Sequence, residues 1–150
     1  MPGIGAHTRR TKDKRGLSRV QVRKISLAIT PALMTDNTNT TGYIDFPTDA
    51  LPAGAIVLGW AMKTTAGFAG DTTAVVQVGV AGTLDLYSAV TSGSCFTAIK
   101  VGSVVKTTGV VYQAAAATPR VTITGGADFT SIVTNAAGRG TVTMYYIPTD

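Results

Sequence analysis

The sequence has no glutamate, one histidine and one cysteine among its 150 residues. Each scarcity removes a class of protein. Amphipathic helices draw heavily on glutamate, so a chain without it is poorly suited to a helical fold. The single cysteine, Cys95, excludes an intramolecular disulfide, so stability must come from packing or from assembly. The single histidine, His7, sits in a cationic leader rich in glycine. A Ser-His-Asp or Cys-His site therefore lacks a base in the part of the chain able to fold. Cys95 lies in Ser92-Gly93-Ser94-Cys95-Phe96, with no neighbouring cation or histidine to lower its pKa, and reads as an inert thiol. Zinc would need clustered histidine or cysteine, which is missing. Long apolar runs are missing too. The longest, over 50–62, is interrupted by Pro52, Gly54 and Gly59 and falls short of the ~20 residues that cross a bilayer. No apolar stretch follows the charged N-terminus, so no signal peptide is expected. A soluble chain with no membrane partner is predicted.

The candidate carboxylates for chemistry in the body are Asp36, Asp45, Asp49, Asp71, Asp85 and Asp128. Two of them at the right separation would suit a glycosidase. Most lie in turn-like contexts, where aspartate bonds its own backbone, and the structural reading is preferred. Asp71 or Asp85 with loop carbonyls is the conceivable calcium site, but no EF-hand or RTX-type pattern surrounds either. Gly125-Gly126-Ala127-Asp128 lacks the Gly-Lys-Ser/Thr end of a P-loop. The sequon Asn39-Thr40-Thr41 matters only in a glycosylating pathway. The expectation is a protein that is not an enzyme and takes no cofactor and no metal.

Apolar residues make up 45% of the chain and charged ones 14%, a balance that favours a packed core over disorder. Alanine, valine and threonine dominate, and β-branched residues suit pleated surfaces. Period-two patterns run through the chain from about Val20. Ile25, Leu27 and Ile29 share one face of a strand ended by Pro31, and a polar loop follows over 35–41. A short strand is expected over 42–46, then a tight turn at Leu51-Pro52-Ala53-Gly54. In the strand expected over 55–65, Ile56, Leu58, Trp60 and Met62 form one face. Ala55, Val57, Gly59 and Ala61 form the other, small enough to be approached closely by another surface. Ala74, Val76, Val78 and Val80 face one way over 73–80. Weaker strands are expected over 95–101 and 104–112, and one helical turn over 114–117. Val121 and Ile123 point inward over 120–124, and 129–133 reads as strand or loop. The last strand, 141–147, turns Val142, Met144 and Tyr146 to one side. About eight short strands separated by Gly, Pro, Asn and Asp turns predict an all-β, two-sheet sandwich. A jelly roll is the first choice. An immunoglobulin-like sandwich is second, and the Cys…Trp…Cys spacing of antibody domains is absent.

The charge is uneven. The net charge of the chain is +5. Residues 1–24 carry Arg9, Arg10, Lys12, Lys14, Arg15, Arg19, Arg23 and Lys24 against Asp13, a net +7, so the remaining residues carry a net −2. Two parts are therefore expected: a basic arm over 1–24, with the first strand starting within about 20–30, and a β-sandwich domain over 25–150. The arm has too little apolar surface to offset its backbone entropy alone. It is expected to order only against a partner, and its eight cations are the candidate partner-binding residues. A solubilising tail, an arm laid over an acidic protein neighbour and a nucleic-acid tether are the three readings, and the protein neighbour is preferred.

Several segments resemble small virion proteins of tailed bacteriophages. They are Gly42-Tyr43-Ile44-Asp45-Phe46, Leu51-Pro52-Ala53-Gly54-Ala55 running into Ile56-Val57-Leu58-Gly59-Trp60, Thr65-Ala66-Gly67-Phe68, Val76-Gln77-Val78-Gly79-Val80 and Gly140-Thr141-Val142-Thr143-Met144-Tyr145-Tyr146. The resemblance spans about residues 42 to 147. It implies a capsid decoration or cement protein in the virion, on the capsid surface, made in the host cytoplasm. It also implies a major capsid protein and further copies of the chain as partners, with a homotrimer favoured. A genome-binding jelly-roll coat protein and a neck or tail component are the alternatives. The leader fits this picture without matching a family motif.

Overall fold

In a computed structural model, residues 20–37, 39–88, 93–96, 101–104 and 110–149 are described. The strands among them are β1 (Arg23–Ile29), β2 (Thr35–Asp36), β3 (Thr41–Asp45), β4 (Ile56–Ala66), β5 (Ala74–Gly79), β6 (Val101–Val104), β7 (Val111–Tyr112), β8 (Arg120–Gly125) and β9 (Arg139–Ile147). A 3-10 turn covers Pro31–Leu33, and one α-helix, α1, covers Phe129–Asn135.

The strands form two antiparallel sheets. One runs β1-β9-β4-β6, with β7 on the same side of β4, and the other runs β2-β3-β8-β5. Pairing is nested along the chain. β1 pairs with β9, β3 with β8 and β4 with β6. β5 pairs with the segment around Ser94 through an isolated bridge from Val75. There the Cys95 amide donates to Ala74 O at 2.8 Å and the Val76 amide to Gly93 O at 3.3 Å. The first half of the chain thus meets the second half in reverse order, as a long ribbon does when rolled into a jelly roll. The all-β two-sheet expectation holds.

The core lies between the sheets and follows the alternation. Val142, Met144 and Tyr146 of β9, Ala74, Val76 and Val78 of β5, and Val121 and Ile123 of β8 are all buried. In β1 burial deepens from Ile25 and Leu27, half-buried, to Ile29, fully buried. Phe68, Phe129 and Tyr87, from outside the strands, are buried in the same core.

Four expectations need correction. In β4, Val57, Trp60, Met62 and Thr64 are buried while Ile56 and Leu58 are only half-buried. A register shift between Val57 and Gly59 against β9 is the cause. Leu58 is an extra residue, and the bulge moves the inward face from odd to even positions. The large side chains therefore do not share one face. Second, 129–133 is helix rather than strand or loop. Asp128 caps it by accepting a bond from the Thr130 amide, and Phe129 and Ile132, three residues apart, both reach the core. Third, residues 114–117 form no helical turn, and Ala117 instead bridges Leu51. Fourth, the polar loop expected over 35–41 contains β2, whose Thr35 and Asp36 pair with Tyr43 and Gly42. Of the weaker strand expectations, 97–100 and 105–109 lie outside the described residues.

Candidate functional site

The carboxylates of Asp36, Asp45, Asp71 and Asp128 are taken up by local structure. Asp45 receives both Nε and a terminal nitrogen of Arg120, at 2.6 and 2.8 Å, and the guanidinium lies 3.8 Å from the centre of the Tyr43 ring. The register explains the grouping, since Asp45 faces Arg120 across β3 and β8. The Asp45 carboxylate holds Arg120 all the more firmly charged. Asp49 sits in a left-handed conformation, and its amide donates to Thr118 Oγ1 at 3.0 Å. Asp71 joins two turns: its carboxylate accepts from the amides of Ala127 and Asp128 at 2.9 and 3.0 Å and from that of Thr72. These bonds, the one from Ala127 foremost, lower its pKa to about 2. Asp128 caps α1, and Asp36 accepts from the Thr130 hydroxyl at 3.0 Å.

Asp36, Asp71 and Asp128 therefore meet around the start of α1. Shallow polar clefts flank it, lined by Asp36, Asn39 and Thr130 on one side and by Gly70, Ser131 and Asn135 on the other. Among the described residues no group of three His, Cys, Asp or Glu side chains is placed to hold a metal ion. Cys95 is buried, its thiol lies 3.5 Å from Ala74 O, and burial pushes its pKa up to about 12. A thiol held protonated in this way is a poor nucleophile.

Of the predicted partner-binding cations, Arg9, Arg10, Lys12, Lys14, Arg15 and Arg19 lie outside the described residues. Arg23 and Lys24 belong to β1, where they pair with Tyr146 and Tyr145 and remain exposed. The first strand thus starts inside the window expected for it and takes in the last two cations assigned to the arm.

Sequence reading missed a second feature. Six large apolar side chains are exposed among the described residues: Val20, Val22, Leu33, Val110, Tyr112 and Tyr145. Tyr112 and Tyr145 belong to one end of the β1-β9-β4 sheet, and Val20, Val22 and Val110 precede the strands β1 and β7 that start there. Tyr112 pairs with Ile56, and Ile56 with Ile147, in one row across three strands. Tyr145 stands on the same outer face, since its neighbours Met144 and Tyr146 point into the core. One step beyond the Arg23–Tyr146 pair, Val22 reaches the level of Ile147. The available signal was the parity of β9, where Tyr145 falls on the side opposite Val142 and Met144.

The fold defines a two-sheet jelly-roll protein. No family model matches the chain, and no curated protein matches it. Among solved structures it is similar to "Cyanophage Pam1 capsid asymmetric unit", with a TM-score of 0.49 and 22% identity over 87% of this chain and 85% of that one. No helix among the described residues is long and apolar enough to cross a membrane.

Proposed function

We propose that the protein is a non-catalytic structural component of a virion, a decoration or cement protein that binds a capsid shell through its β-domain and its basic leader. One observation carries the reading. In the rolled body Asp36, Asp45, Asp71 and Asp128 are tied into local bonds, while the end of the sheet from which the cationic leader departs, net +5 over residues 1–22, is where exposed apolar side chains gather. Such a division suits adhesion rather than turnover. Apolar side chains supply contact area, and cations add charge-assisted bonds to an acidic neighbour. The sequence resemblance to phage virion proteins over residues 42–147 points to the shell as that neighbour.

The test is occupancy on particles. Removing residues 1–19 is expected to lower the amount of protein on purified shells while the isolated body keeps its β-type circular dichroism. Full occupancy without the leader refutes the reading.

The cation density of the leader favours one second reading, a coat protein that holds the genome. With eight phosphate contacts, nucleic-acid affinity would fall about four orders of magnitude between 50 and 200 mM salt. An affinity indifferent to salt removes that reading.

A further inference from the structure

An edge strand offers a row of amides and carbonyls to any extended chain that meets it. Most edges of this molecule are short or closed. Among the described residues β2 and β7 have two residues each and β6 has four. β5 is longer, and its chain closes it. The Cys95 amide donates to Ala74 O at 2.8 Å, the Val76 amide to Gly93 O at 3.3 Å, the Tyr87 amide to Val78 O at 3.0 Å and the Val78 amide to Ser88 Oγ at 3.1 Å. β1 is different. Its seven residues end the β1-β9-β4-β6 sheet, and among the described residues no strand pairs with its far side.

Beyond its first two residues this edge lacks the usual guards, which are charge, proline and bulges. Ile25 to Ile29 contain no charged residue, proline or glycine, and the register against β9 runs without a shift. Ile25 and Leu27 lie on the core-facing side with Ile29, yet they stay half-buried, while Ser26 and Ala28 are exposed. The core face of the sheet is thus one strand short of covering them.

Charge selects the occupant. Arg23 and Lys24 are exposed at the start of β1, and among the described residues neither has a carboxylate partner. Residues 1–22 before them carry Arg9, Arg10, Lys12, Lys14, Arg15 and Arg19 against Asp13, a net +5. An incoming strand gains most when its carboxylates lie at that end. This chain does not contain such a strand: it has no glutamate, and none of its aspartates lies within three positions of another. A second copy is therefore a poor fit. Antiparallel pairing is the more stable per residue and sets the C-terminal end of the newcomer beside Arg23 and Lys24. We propose that the free edge of β1 takes up, by antiparallel strand addition, an extended segment of a different protein, apolar at alternate positions and ending in two adjacent carboxylates. Main-chain bonds would supply affinity, and the alternate side chains and the carboxylates would supply choice. The proposal rests on the reading of the chain as a shell-binding protein and names the kind of segment by which the shell would hold it.

The probe is the blocked peptide Val-Thr-Val-Thr-Val-Asp-Asp, titrated to about 2 mM against the full-length chain and followed by residue-resolved amide exchange. In an antiparallel ladder alternate amides of β1 point away from β9. Those amides within Arg23–Ile29 are expected to slow on adding peptide, while those bonded to β9 stay as they were. Replacing both aspartates of the peptide by asparagine, or Arg23→Gln with Lys24→Gln in the protein, is expected to weaken binding about five-fold, less so in high salt. Both side chains are exposed, so the melting temperature of that variant should not move. Unchanged exchange along β1 at the highest peptide concentration overturns the proposal. So does protection of the same amides that rises with protein concentration alone, which would give the edge to a second copy. Equal binding of the reversed peptide Asp-Asp-Val-Thr-Val-Thr-Val overturns the antiparallel direction. Shell occupancy that depends on the leader, with β1 exchange untouched by the peptide, would sink the strand addition and leave the proposed function standing. Protection of β1 by the peptide in a chain that never loads onto shells would do the opposite.

Discussion

Asp71 gathers amide donors from Thr72, Ala127 and Asp128 onto one carboxylate. Protonation weakens those bonds, which is why the folded-state pKa lies at about 2 rather than 3.8. A depressed acid stabilises the fold above its unfolded pKa and loses that contribution as pH falls through the folded one. Asp71→Asn is therefore expected to lower the urea midpoint at neutral pH, with the gap to wild type closing as pH drops from 3.8 towards 2. A gap of constant size across that range would contradict this account. Gly42 is a second residue whose identity is set by a neighbour. A β-carbon there would fall inside the edge of the buried Phe129 ring. Gly42→Ala is expected to cost about 1–3 kcal/mol and to lower the melting temperature by about 2–12 °C. Neither role was visible along the chain. Asp71 read as a turn aspartate, and two of its partners, Ala127 and Asp128, lie more than fifty positions away. Gly42 read as the start of a strand, and the ring that demands it belongs to a helix that sequence pattern did not find.

At the scale of elements, parity was legible wherever a strand stays in register. Val121 and Ile123, or Val142, Met144 and Tyr146, could be assigned to the core from alternation alone. β4 defeats the rule because Leu58 is inserted as a bulge, and nothing local distinguishes a bulged Leu-Gly from a straight one. Deleting Leu58 leaves Val57 and Trp60 two positions apart, so a plain strand keeps Val57 and the Trp60–Met62–Thr64 set on the core face and in register with β9. The deletion is therefore expected to keep a cooperative melt and the blue-shifted emission of buried Trp60. A red-shifted spectrum without a cooperative melt would contradict the assignment of Leu58 as the extra residue. The helix α1 was missed for a related reason. Its seven residues are mostly β-branched or aromatic, and its formation depends on the Asp128 cap and on Phe129 and Ile132 finding the core.

At the scale of the whole molecule, the rolled ribbon places the first and last strands side by side, Arg23 against Tyr146 and Ile29 against Gly140. Such pairings close most of the chain into a loop before they contribute, so folding should be slow for a domain of this size, in milliseconds to seconds. Trp60, the single tryptophan and fully buried, reports it. Stopped-flow refolding is expected to give a relaxation in that range, unchanged when residues 1–19 are removed. A microsecond relaxation would contradict a nucleus that depends on distant strands.

The sequence by itself determined the class: an all-β body with a cationic leader, because alternation, turn residues and charge are local properties written along the chain. Only the tertiary structure decided the nested strand order, the phase of β4, the joining of Asp36, Asp71 and Asp128 around α1, and the apolar end of the β1-β9-β4 sheet. Each of those depends on residues far apart in the chain being brought to the same place. Register and burial settle such meetings, and composition does not.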